Sequence, residues 1–378
     1  MRILHLYKDY FPVLGGIENH VKLLAEGQAA RGHEVTVLVT SLGPRTERLE
    51  SAGVQVIKAA RLATVASAPL SLALPLFLRR LHPDVTHLHF PYPVTEVANW
   101  LLGRGRRTIV TYHSDVVRQK GLLLAYAPLM RHILRRADRI IATSPAYMQS
   151  SAVLAPLAPH CTVVPLAVET ARFAAPADPG ALAALRAQWG PGPWLLFVGR
   201  HRYYKGLDDL IRALPMLPGV RLMAVGKGPM TATWQALAVD LGVAERVHFP
   251  GEIPDRELAL SFRAADLFVL PSSQRSEAFG LVIVEAMAAG LPAITTELGT
   301  GTSWVNRHGE TGLVVPPRDP AALAQASAAL LGDEARRARL GRAAQARALA
   351  EFDKEVMVER TLALYEGVSR DGVSPGNG

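Results

Sequence analysis

Two glutamates enclose an apolar segment within residues 271–292, which read PSSQRSEAFGLVIVEAMAAGLP. A polar loop carries Glu277, and a helical pattern that contains Glu285 follows it. Free backbone N–H groups at the start of such a helix form an anion site, which the helix dipole strengthens. Gly280 lets an anion approach the main chain, and Glu285 lies about 7 Å further along the axis at about 1.5 Å per residue. This spacing predicts a sugar-nucleotide site, with the diphosphate at the helix start, the ribose at Glu285 and the sugar near Glu277. The alternative is an ordinary capped helix.

Two cations follow another strand-like run in residues 197–214, which read FVGRHRYYKGLDDLIRAL. Arg200 comes directly after the strand, and Lys205 precedes the helix that begins near Gly206. Fixed cations at such a place neutralise a diphosphate leaving group, whose negative charge grows as the glycosidic bond breaks. We therefore expect both side chains to act on a diphosphate, and the alternative is that they are solvated surface charges.

Smaller polar clusters follow strands in the first half of the chain. Gly15 and Gly16 lie in the first strand-to-helix loop, where backbone amides can face a phosphate, although such a pair is as often simple turn chemistry. His113 follows a strand, whereas His87 and His89 lie within one and are expected to be packing or rim residues. The sequence has no Gly-x-Gly-x-x-Gly fingerprint, which argues against a nicotinamide dehydrogenase.

Strand and helix patterns alternate along the chain, which predicts parallel sheets with helices on both faces. One series of strands is expected from Ile3–Tyr7 to Thr162–Val164, and a second from Trp194–Val198 to Leu313–Val315. The fold class is therefore α/β, with two Rossmann-like doubly wound domains that face a central cleft. Ligands bind at the carboxyl ends of the strands in such sheets, and the polar clusters fall there.

Together these motifs resemble those of the retaining glycosyltransferases of family 4, which have the GT-B fold. The full pattern PSSxxSExFGLVxxEAMAxGLP carries the resemblance, because two glutamates at this spacing are common by chance, and matching elements occur in order from Gly15 to Gly312. Residues 297–302, ELGTGT, are similar to a segment of transferases that build bacterial surface polysaccharides, several of them mannosyltransferases and others glucosyltransferases.

The resemblance implies a role for each matching residue. His113 is expected to hydrogen-bond the donor sugar, Asp115 to orient His113 or bind acceptor, and the loops at 226–229 and 251–253 to bind base and ribose. The expected catalytic residues are His113, Glu277, Arg200 and Lys205. The residues expected to bind the donor are Gly15, Gly16, Arg200, Lys205, Gly226, Ile253, Glu277, Ala278, Phe279, Gly280, Leu281, Val282 and Glu285.

The resemblance also implies a domain division. The acceptor-side domain is expected at residues 1–173, with a C-terminal helix at 355–370 that packs back on it, and the nucleotide-sugar domain at 174–354. The Ala/Pro/Gly-rich segment 174–192 is expected to be a linker with a short helix.

The expected reaction is retaining transfer of a hexose from GDP-mannose or a UDP-hexose to a saccharide or a lipid-linked saccharide. No Asp-x-Asp motif occurs in the sequence, so we expect activity without a metal ion or any other cofactor. Two alternatives remain at this point: a nucleotide-sugar epimerase with the same fold, and a non-catalytic two-domain protein that only binds a ligand.

Composition and charge limit the class of protein and its partners. The chain has 378 residues, of which 49% are hydrophobic, and a formal charge of +8. A single cysteine, Cys161, and a start at Met1 without a basic segment and an apolar segment favour a cytoplasmic protein. Residues 1–176 hold 20 basic and 11 acidic residues, so this half meets an anionic partner; no nucleic-acid-binding motif accompanies the charge.

An uncharged stretch and a basic region suggest where such a partner lies. Residues 62–78 contain no charge, and they form either a buried helix with its entry loop or a helix at a membrane interface. A polyprenyl-diphosphate-linked acceptor at the inner face of an anionic membrane, or an arginine-rich soluble surface, would both suit the basic residues. These are Arg104, Arg106, Arg107, Arg118, Lys120, Arg131, Arg135, Arg136 and Arg139.

Overall fold

A computed structural model describes residues 1–13, 15–65, 68–115 and 120–371, without the side chains of 120–125 and 369–371. The chain divides into two compact units, Met1–Leu166 with Lys354–Gly378 and Ala167–Asp353. The boundary expected at residue 173 therefore lies inside the second unit, within the helix Thr170–Ala174.

The first unit is built on a mostly parallel sheet. Its strands are β1 (Arg2–Leu6), β2 (Glu34–Thr40), β3 (Glu47–Ser51), β4 (Val54–Ala59), β5 (Ala63–Val65), β6 (Ala68–Leu70), β7 (Val85–Phe90), β8 (Arg107–Tyr112), β9 (Arg139–Ala142) and β10 (Cys161–Val163). In the described ranges, eight of them form one sheet in the order β10-β9-β8-β7-β1-β2-β4-β3, and β5 pairs with β6. Strand order reverses between β1 and β7, so the crevice for ligands lies at their carboxyl ends.

Helices cover this sheet and bury their apolar faces against it. They are α1 (Gly16–Ala30), α2 (Ala73–Leu78), α3 (Pro93–Leu102), α4 (Lys120–Arg136), α5 (Pro145–Ser150) and α15 (Lys354–Asp371). In α1, Val21, Leu24 and Ala25 recur at helical spacing and are fully buried. Helix α15 packs against α1, where Arg31 and Glu355 form an ion pair of 2.7 Å.

The second unit contains a fully parallel sheet. Its strands are β11 (Trp194–Val198), β12 (Arg221–Val225), β13 (Val247–Gly251), β14 (Leu267–Leu270), β15 (Ala293–Thr296) and β16 (Gly312–Val315), in the order β13-β12-β11-β14-β15-β16. Every residue of β11 and β14 is buried, as expected for central strands of a parallel sheet covered on both faces. The strand order of this sheet reverses between β11 and β14.

The helices of the second unit alternate with these strands. They are α6 (Thr170–Ala174), α7 (Pro179–Trp189), α8 (Leu207–Ala213), α9 (Thr231–Asp240), α10 (Asp255–Ala264), α11 (Leu281–Ala288), α12 (Gly301–Val305), α13 (Pro320–Leu331) and α14 (Glu334–Glu351). The α/β fold class is thus confirmed, and α7 is the short helix expected within the segment 174–192.

The uncharged stretch 62–78 is not one helix. It forms the strand pair β5–β6 and then the six-residue α2, because Pro69 and Pro75 would both lie inside one helix over 62–78, where proline removes a backbone hydrogen bond. Leu74 and Leu78 are buried, whereas Leu72 and Leu76 are exposed, so only one face of α2 joins the core. Across the described ranges, we find no helix with the length and apolar character needed to cross a bilayer.

Candidate active site

Two loops of the second unit start from neighbouring strands at the reversal of strand order. The loop after β11 carries Arg200 and Lys205, and the loop after β14 carries Glu277 and leads into α11. Since β11 and β14 are parallel neighbours, with Leu196 in register with Phe268, both loops leave the same edge of the sheet. The topology therefore brings the predicted cations and the predicted glutamate to one place.

Lys205 and Glu277 form a buried ion pair at this place. The Nζ atom of Lys205 lies 2.6 Å from Oε2 of Glu277, and the side chains are only 12% and 10% exposed. The Ser272 hydroxyl donates a hydrogen bond of 3.2 Å to the same carboxylate oxygen. Burial lowers the pKa of Lys205, but the surrounding negative groups, the Glu277 carboxylate first among them, together outweigh it and the net pKa is raised. Lys205 therefore stays a cation at neutral pH.

A glycine explains how the two loops approach so closely. Gly206 has φ of 66°, and a Cβ atom on it would lie 2.0 Å from the carbonyl oxygen of Pro271. No other residue type fits both the left-handed backbone and this distance. Gly206 thus lets the start of α8 lie against the end of β14, which places Lys205 beside Glu277.

The start of α11 can contact a ligand through its main chain rather than through its side chains. Gly280 precedes the helix with φ of 80°, and a Cβ atom there would lie 2.7 Å from Cδ1 of Ile283. The Phe279 ring is 3% exposed and packs against the rings of Trp304 and Phe352. Phe279 can therefore serve a ligand only through its backbone. Leu281, which begins the helix, is half-buried.

Three further residues of the 277–285 motif that were expected to bind the donor are half-buried. Ala278 lies in the loop, Val282 in the first turn of α11, and Glu285 one turn later. Burial raises the pKa of Glu285 to about 7, against the opposing effect of the Arg172 cation. The expected contact of Glu285 with a ribose stays a prediction.

Arg200 differs from Lys205 because it is solvent-exposed. Within the described part of the chain, its guanidinium forms neither an ion pair nor a hydrogen bond with another side chain. The structure therefore places one predicted cation in a buried pair and leaves the other available to a ligand.

The loops after β12 and β13 also meet. The Gly226 N–H donates a hydrogen bond of 2.8 Å to the Gly251 carbonyl, and Lys227 and Glu252 form an exposed ion pair of 2.9 Å. Ile253 lines a cavity of about 250 Å³ in the second unit. The assignment of Gly226 and Ile253 to the donor base stays a prediction.

In the first unit, His113 follows β8 and is 3% exposed. Its Nε2 atom lies 3.2 Å from Nδ1 of His89, so His89 is the residue that contacts it. The carboxylate of Asp115 instead accepts hydrogen bonds from the hydroxyls of Tyr112 and Ser151. The expectation that Asp115 orients His113 is therefore wrong, because the hydrogen-bonded ring nitrogen of His113 is paired with His89 and not with Asp115.

A carboxylate from the first turn of α1 lies over the glycine loop that precedes this helix. The Glu18 side chain folds over Gly15, such that a Cβ atom on Gly15 would lie 2.2 Å from a Glu18 oxygen. Burial raises the pKa of Glu18, and Lys8 lies 3.9 Å away. A phosphate arriving at Gly15 or Gly16 would meet this carboxylate, and their expected role stays a prediction.

Some polar residues of these regions were missed by the sequence analysis. His5, His20 and Gln28 lie in a buried cluster with His89 and His113. One signal was available: His87 and His89 are two residues apart in a strand, which places them on one face of the sheet. Their partners on β1 and α1 depend on strand register and helix packing, which the sequence does not display.

Comparison with known proteins places the chain in a family. Residues 14–172 match the family described as Glycosyltransferase Family 4, and residues 187–347 match Glycosyl transferases group 1. The D-rhamnosyltransferase WbpZ of Pseudomonas aeruginosa is 39% identical over 351 residues, which cover 92% of this chain and 91% of that protein. The chain belongs to the family 4 glycosyltransferases. This glycosyltransferase is also 34% identical to the O-antigen chain mannosyltransferase C of Escherichia coli over 370 residues, or 97% of this chain and 98% of that one.

A solved structure supports the fold of this glycosyltransferase. Sucrose-phosphate synthase from Thermosynechococcus elongatus superposes with a TM-score of 0.82 at 25% identity, covering 98% of this chain and 100% of that one. The fold is GT-B, with two Rossmann-like domains. The glycosyltransferase is therefore an enzyme of the class that transfers a sugar from a nucleotide sugar, which confirms the resemblance stated from sequence.

Proposed function

We propose that this glycosyltransferase moves a hexose from GDP-mannose or a UDP-hexose to a saccharide acceptor, with retention at the anomeric carbon. The observation that carries the proposal is the buried Lys205–Glu277 pair beside the start of α11, where the strand order of the second unit reverses. Two relatives are named as a D-rhamnosyltransferase and an O-antigen chain mannosyltransferase, which supports a hexose or deoxyhexose donor. Family membership favours transfer over epimerisation and over simple ligand binding.

The donor diphosphate binds the backbone N–H groups at the start of α11 and the cations Arg200 and Lys205. Helix N-termini and fixed cations stabilise the charge that develops on a leaving phosphate. Glu285 accepts hydrogen bonds from the ribose, and Glu277 orients the sugar hydroxyls and supports positive charge at the anomeric carbon. Because Lys205 is already paired with Glu277, one cation links the leaving group to the sugar-binding carboxylate.

Retention proceeds by departure and attack on the same face of the sugar. The bond between the anomeric carbon and the diphosphate oxygen breaks, and a bond from the acceptor oxygen to that carbon forms. The acceptor proton passes to the departing diphosphate oxygen, which leaves as the nucleoside diphosphate. No side chain is assigned as a covalent nucleophile in this scheme.

Arg200, Lys205 and the helix start take the electrostatic role that a divalent ion has in other transferases. Two cationic side chains next to a helix N-terminus match the charge of a diphosphate. We accordingly propose that turnover needs no metal ion.

The acceptor is proposed to be a saccharide on a polyprenyl diphosphate at the inner face of the cell membrane. Exposed apolar side chains on adjoining helices support this: Leu72 at the start of α2, Leu76 within it, and Trp100 and Leu101 on α3. Exposed arginines follow or accompany these helices, namely Arg79, Arg80, Arg104, Arg106, Arg131, Arg135 and Arg136. Arg118 lies outside the described residues. Apolar side chains ringed by arginines suit a membrane interface with anionic lipid.

The proposal is tested by incubating the enzyme with single sugar nucleotides and a saccharide acceptor, with and without EDTA. We expect one nucleoside diphosphate released per glycoside formed, NMR couplings that show the donor's anomeric configuration, and unchanged turnover with EDTA. Conversion of the donor without acceptor would indicate an epimerase, and an inverted product would rule out the retaining scheme.

Two substitutions separate the roles of the glutamates. Glu285→Ala is expected mainly to raise KM for the donor, because it removes a ground-state contact with the ribose. Glu277→Ala is expected mainly to lower kcat, because its contacts strengthen as charge develops. Near-normal kinetics in both variants would remove the assignment.

A further inference from the structure

Five buried histidines of the first unit lie at the reversal of strand order. His5 of β1 is in register with His87 of β7, His89 follows on the same face, and His113 lies just after β8. His20 reaches the group from α1, with its ring centroid 5.0 Å from that of His113. All five are less than 5% exposed. Buried ring nitrogens normally have hydrogen-bond partners, which come either from the protein or from a bound ligand.

Three of these rings form an unbroken hydrogen-bonded chain that begins at a glutamine. Oε1 of Gln28 lies 2.7 Å from Nε2 of His5, and Nδ1 of His5 lies 3.1 Å from Nε2 of His89. Nδ1 of His89 lies 3.2 Å from Nε2 of His113. The last atom of the chain is Nδ1 of His113, which is buried and has no hydrogen-bond partner among the described residues.

The orientation of the Gln28 amide decides in which direction each hydrogen bond of this series of rings is donated. Burial lowers the pKa of every ring, that of His5 to about 4, so each imidazole is neutral at pH 7 and carries one proton. The Gln28 oxygen only accepts, so Nε2 of His5 carries the proton and its Nδ1 is a lone pair. His89 must then donate from Nε2, and His113 must in turn donate from Nε2 to His89.

A branch from the same glutamine agrees with this orientation of its amide. The Gln28 amide nitrogen donates to the hydroxyl of Tyr365 on α15, at 3.4 Å. That hydroxyl lies 2.6 Å from Nδ1 of His87, whose Nε2 lies 2.6 Å from the Thr111 hydroxyl. With its nitrogen directed to Tyr365, the amide presents its oxygen to His5.

The same contacts argue against a metal centre. Among the described residues, two groups have ligand atoms within 4.8 Å of one another, His5 with His87 and His89, and His20 with His89 and His113. Both nitrogens of His5, His87 and His89 are already hydrogen-bonded, so a metal ion would have to break the chain to bind. Of the ring nitrogens of these five histidines, those of His20 and Nδ1 of His113 have no hydrogen-bond partner in the part of the chain described.

We propose that Gln28, His5 and His89 are positioning residues that hold His113 as the Nε2–H tautomer. Nδ1 of His113 is then a buried lone pair, and it accepts a hydrogen bond from a hydroxyl group of the bound saccharide. The identity of this ligand rests on the proposed function, whereas the tautomer does not. The hydrogen bond on one ring nitrogen sets which role the other can take, and a histidine in the wrong tautomer loses its function even when its position is kept.

The test is to read the tautomer of His113 by imidazole ¹⁵N chemical shifts in histidine-labelled enzyme at pH 8, without substrate. We expect the Nε2–H form in the wild type and in Gln28→Glu, which keeps an acceptor opposite His5. Gln28→Met keeps the size but removes the acceptor, and we expect a mixture of tautomers with kcat lowered about tenfold or more. Both variants lose the amide donor to Tyr365, but only Gln28→Met also lacks an acceptor opposite His5. A difference between their His113 tautomers is therefore assigned to that acceptor.

Tyr365→Phe is the second test of the chain. It removes the acceptor of the Gln28 amide N–H, so the amide can turn its nitrogen to His5, and a mixture of His113 tautomers is expected. An Nδ1–H form or a mixture in the wild type would overturn the proposal, as would a folded Gln28→Met variant that keeps the wild-type tautomer. The wild-type spectrum requires no substitution and remains decisive if a variant does not fold. It is also independent of turnover, so failure of the proposed reaction would be seen separately in the transfer assay.

Discussion

Lys205 and Glu277 neutralise each other in the second domain, with 2.6 Å between the ammonium nitrogen and a carboxylate oxygen. Each side chain is about nine-tenths buried. Removing one partner from a buried pair leaves an uncompensated charge, whereas removing both does not. Stability and catalysis therefore respond differently to single and double substitutions at this pair.

The first prediction concerns that pair. Lys205→Met is expected to lower the free energy of unfolding by about 3–5 kcal/mol, because Glu277 is left charged and buried. The double variant Lys205→Met/Glu277→Gln is expected to regain most of this stability while remaining inactive. Urea unfolding of the single and double variants measures the coupling, and additive losses would contradict it.

The second prediction concerns Arg200, which is exposed and forms no bond with another side chain in the described part of the chain. Arg200→Ala is expected to change the free energy of unfolding by less than about 0.5 kcal/mol. Loss of a charged contact to the diphosphate is expected to weaken donor binding about tenfold or more. Arg339→Ala, at an exposed position on α14, is the control and should leave donor affinity unchanged in calorimetry. Equal affinities for wild type and Arg200→Ala would exclude the contact.

The third prediction concerns the pH dependence of stability through Glu285. The folded chain keeps the proton on this carboxyl up to a pKa of about 7, against 4.5 for the ordinary group. Between these values the folded state binds more protons than the unfolded state, so stability falls as pH rises through this window. Glu285→Gln does not titrate and is expected to be more stable than wild type by about 2 kcal/mol at pH 8, after allowing for partial exposure.

Urea unfolding of wild type and Glu285→Gln at pH 5 and pH 8 checks this sign. The advantage of the variant should be small at pH 5 and grow toward pH 8. A difference that is the same at both pH values would show that Glu285 has an ordinary pKa in the folded enzyme.

The fourth prediction concerns His20, whose two ring nitrogens are buried and have no partner among the described residues. An unsatisfied buried polar group costs about 1–3 kcal/mol, so His20→Leu is expected to raise the free energy of unfolding by about 1 kcal/mol or more. Activity is expected to fall, since the ring adjoins His113. A variant that is both less stable and fully active would contradict the prediction.

The fifth prediction concerns the apolar face of α2 and α3. The enzyme is expected to float with liposomes that contain anionic lipid and to stay in solution with neutral ones. Leu72→Ser/Leu76→Ser is expected to reduce flotation without loss of fold, because both side chains are exposed. Val239→Ser, an equally exposed apolar position on α9, is the control. Flotation that is unaffected by Leu72→Ser/Leu76→Ser would exclude this face.

The sequence showed the strands that are buried on both faces, such as β11 and β14, because each is a short continuous apolar run followed by Gly or Pro. It did not show β3, in which every residue is exposed and no apolar pattern exists. The motif around Glu277 could be read because its residues are close in sequence. The sequence could not show that Lys205 pairs with Glu277, since this contact depends on which strands are neighbours and on the close approach at Gly206.

The histidine chain illustrates the same limit in the first unit. His87 and His89 share a strand face by simple alternation, which the sequence displays. Their bonds to His5, Tyr365 and His113 come from three other elements and from strand register. Asp115 was expected either to orient His113, because it is close in sequence, or to bind acceptor, and the observed partner of His113 is His89 from the neighbouring strand.

The return of α15 to the first unit sets an order for synthesis. The ribosome completes residues 167–353 before it makes the helix that supplies Tyr365 to His87. Each domain tends to fold as a unit when its chain emerges. In this enzyme, the first domain is therefore completed only after the second has been made, and its buried histidines gain Tyr365 at that later stage.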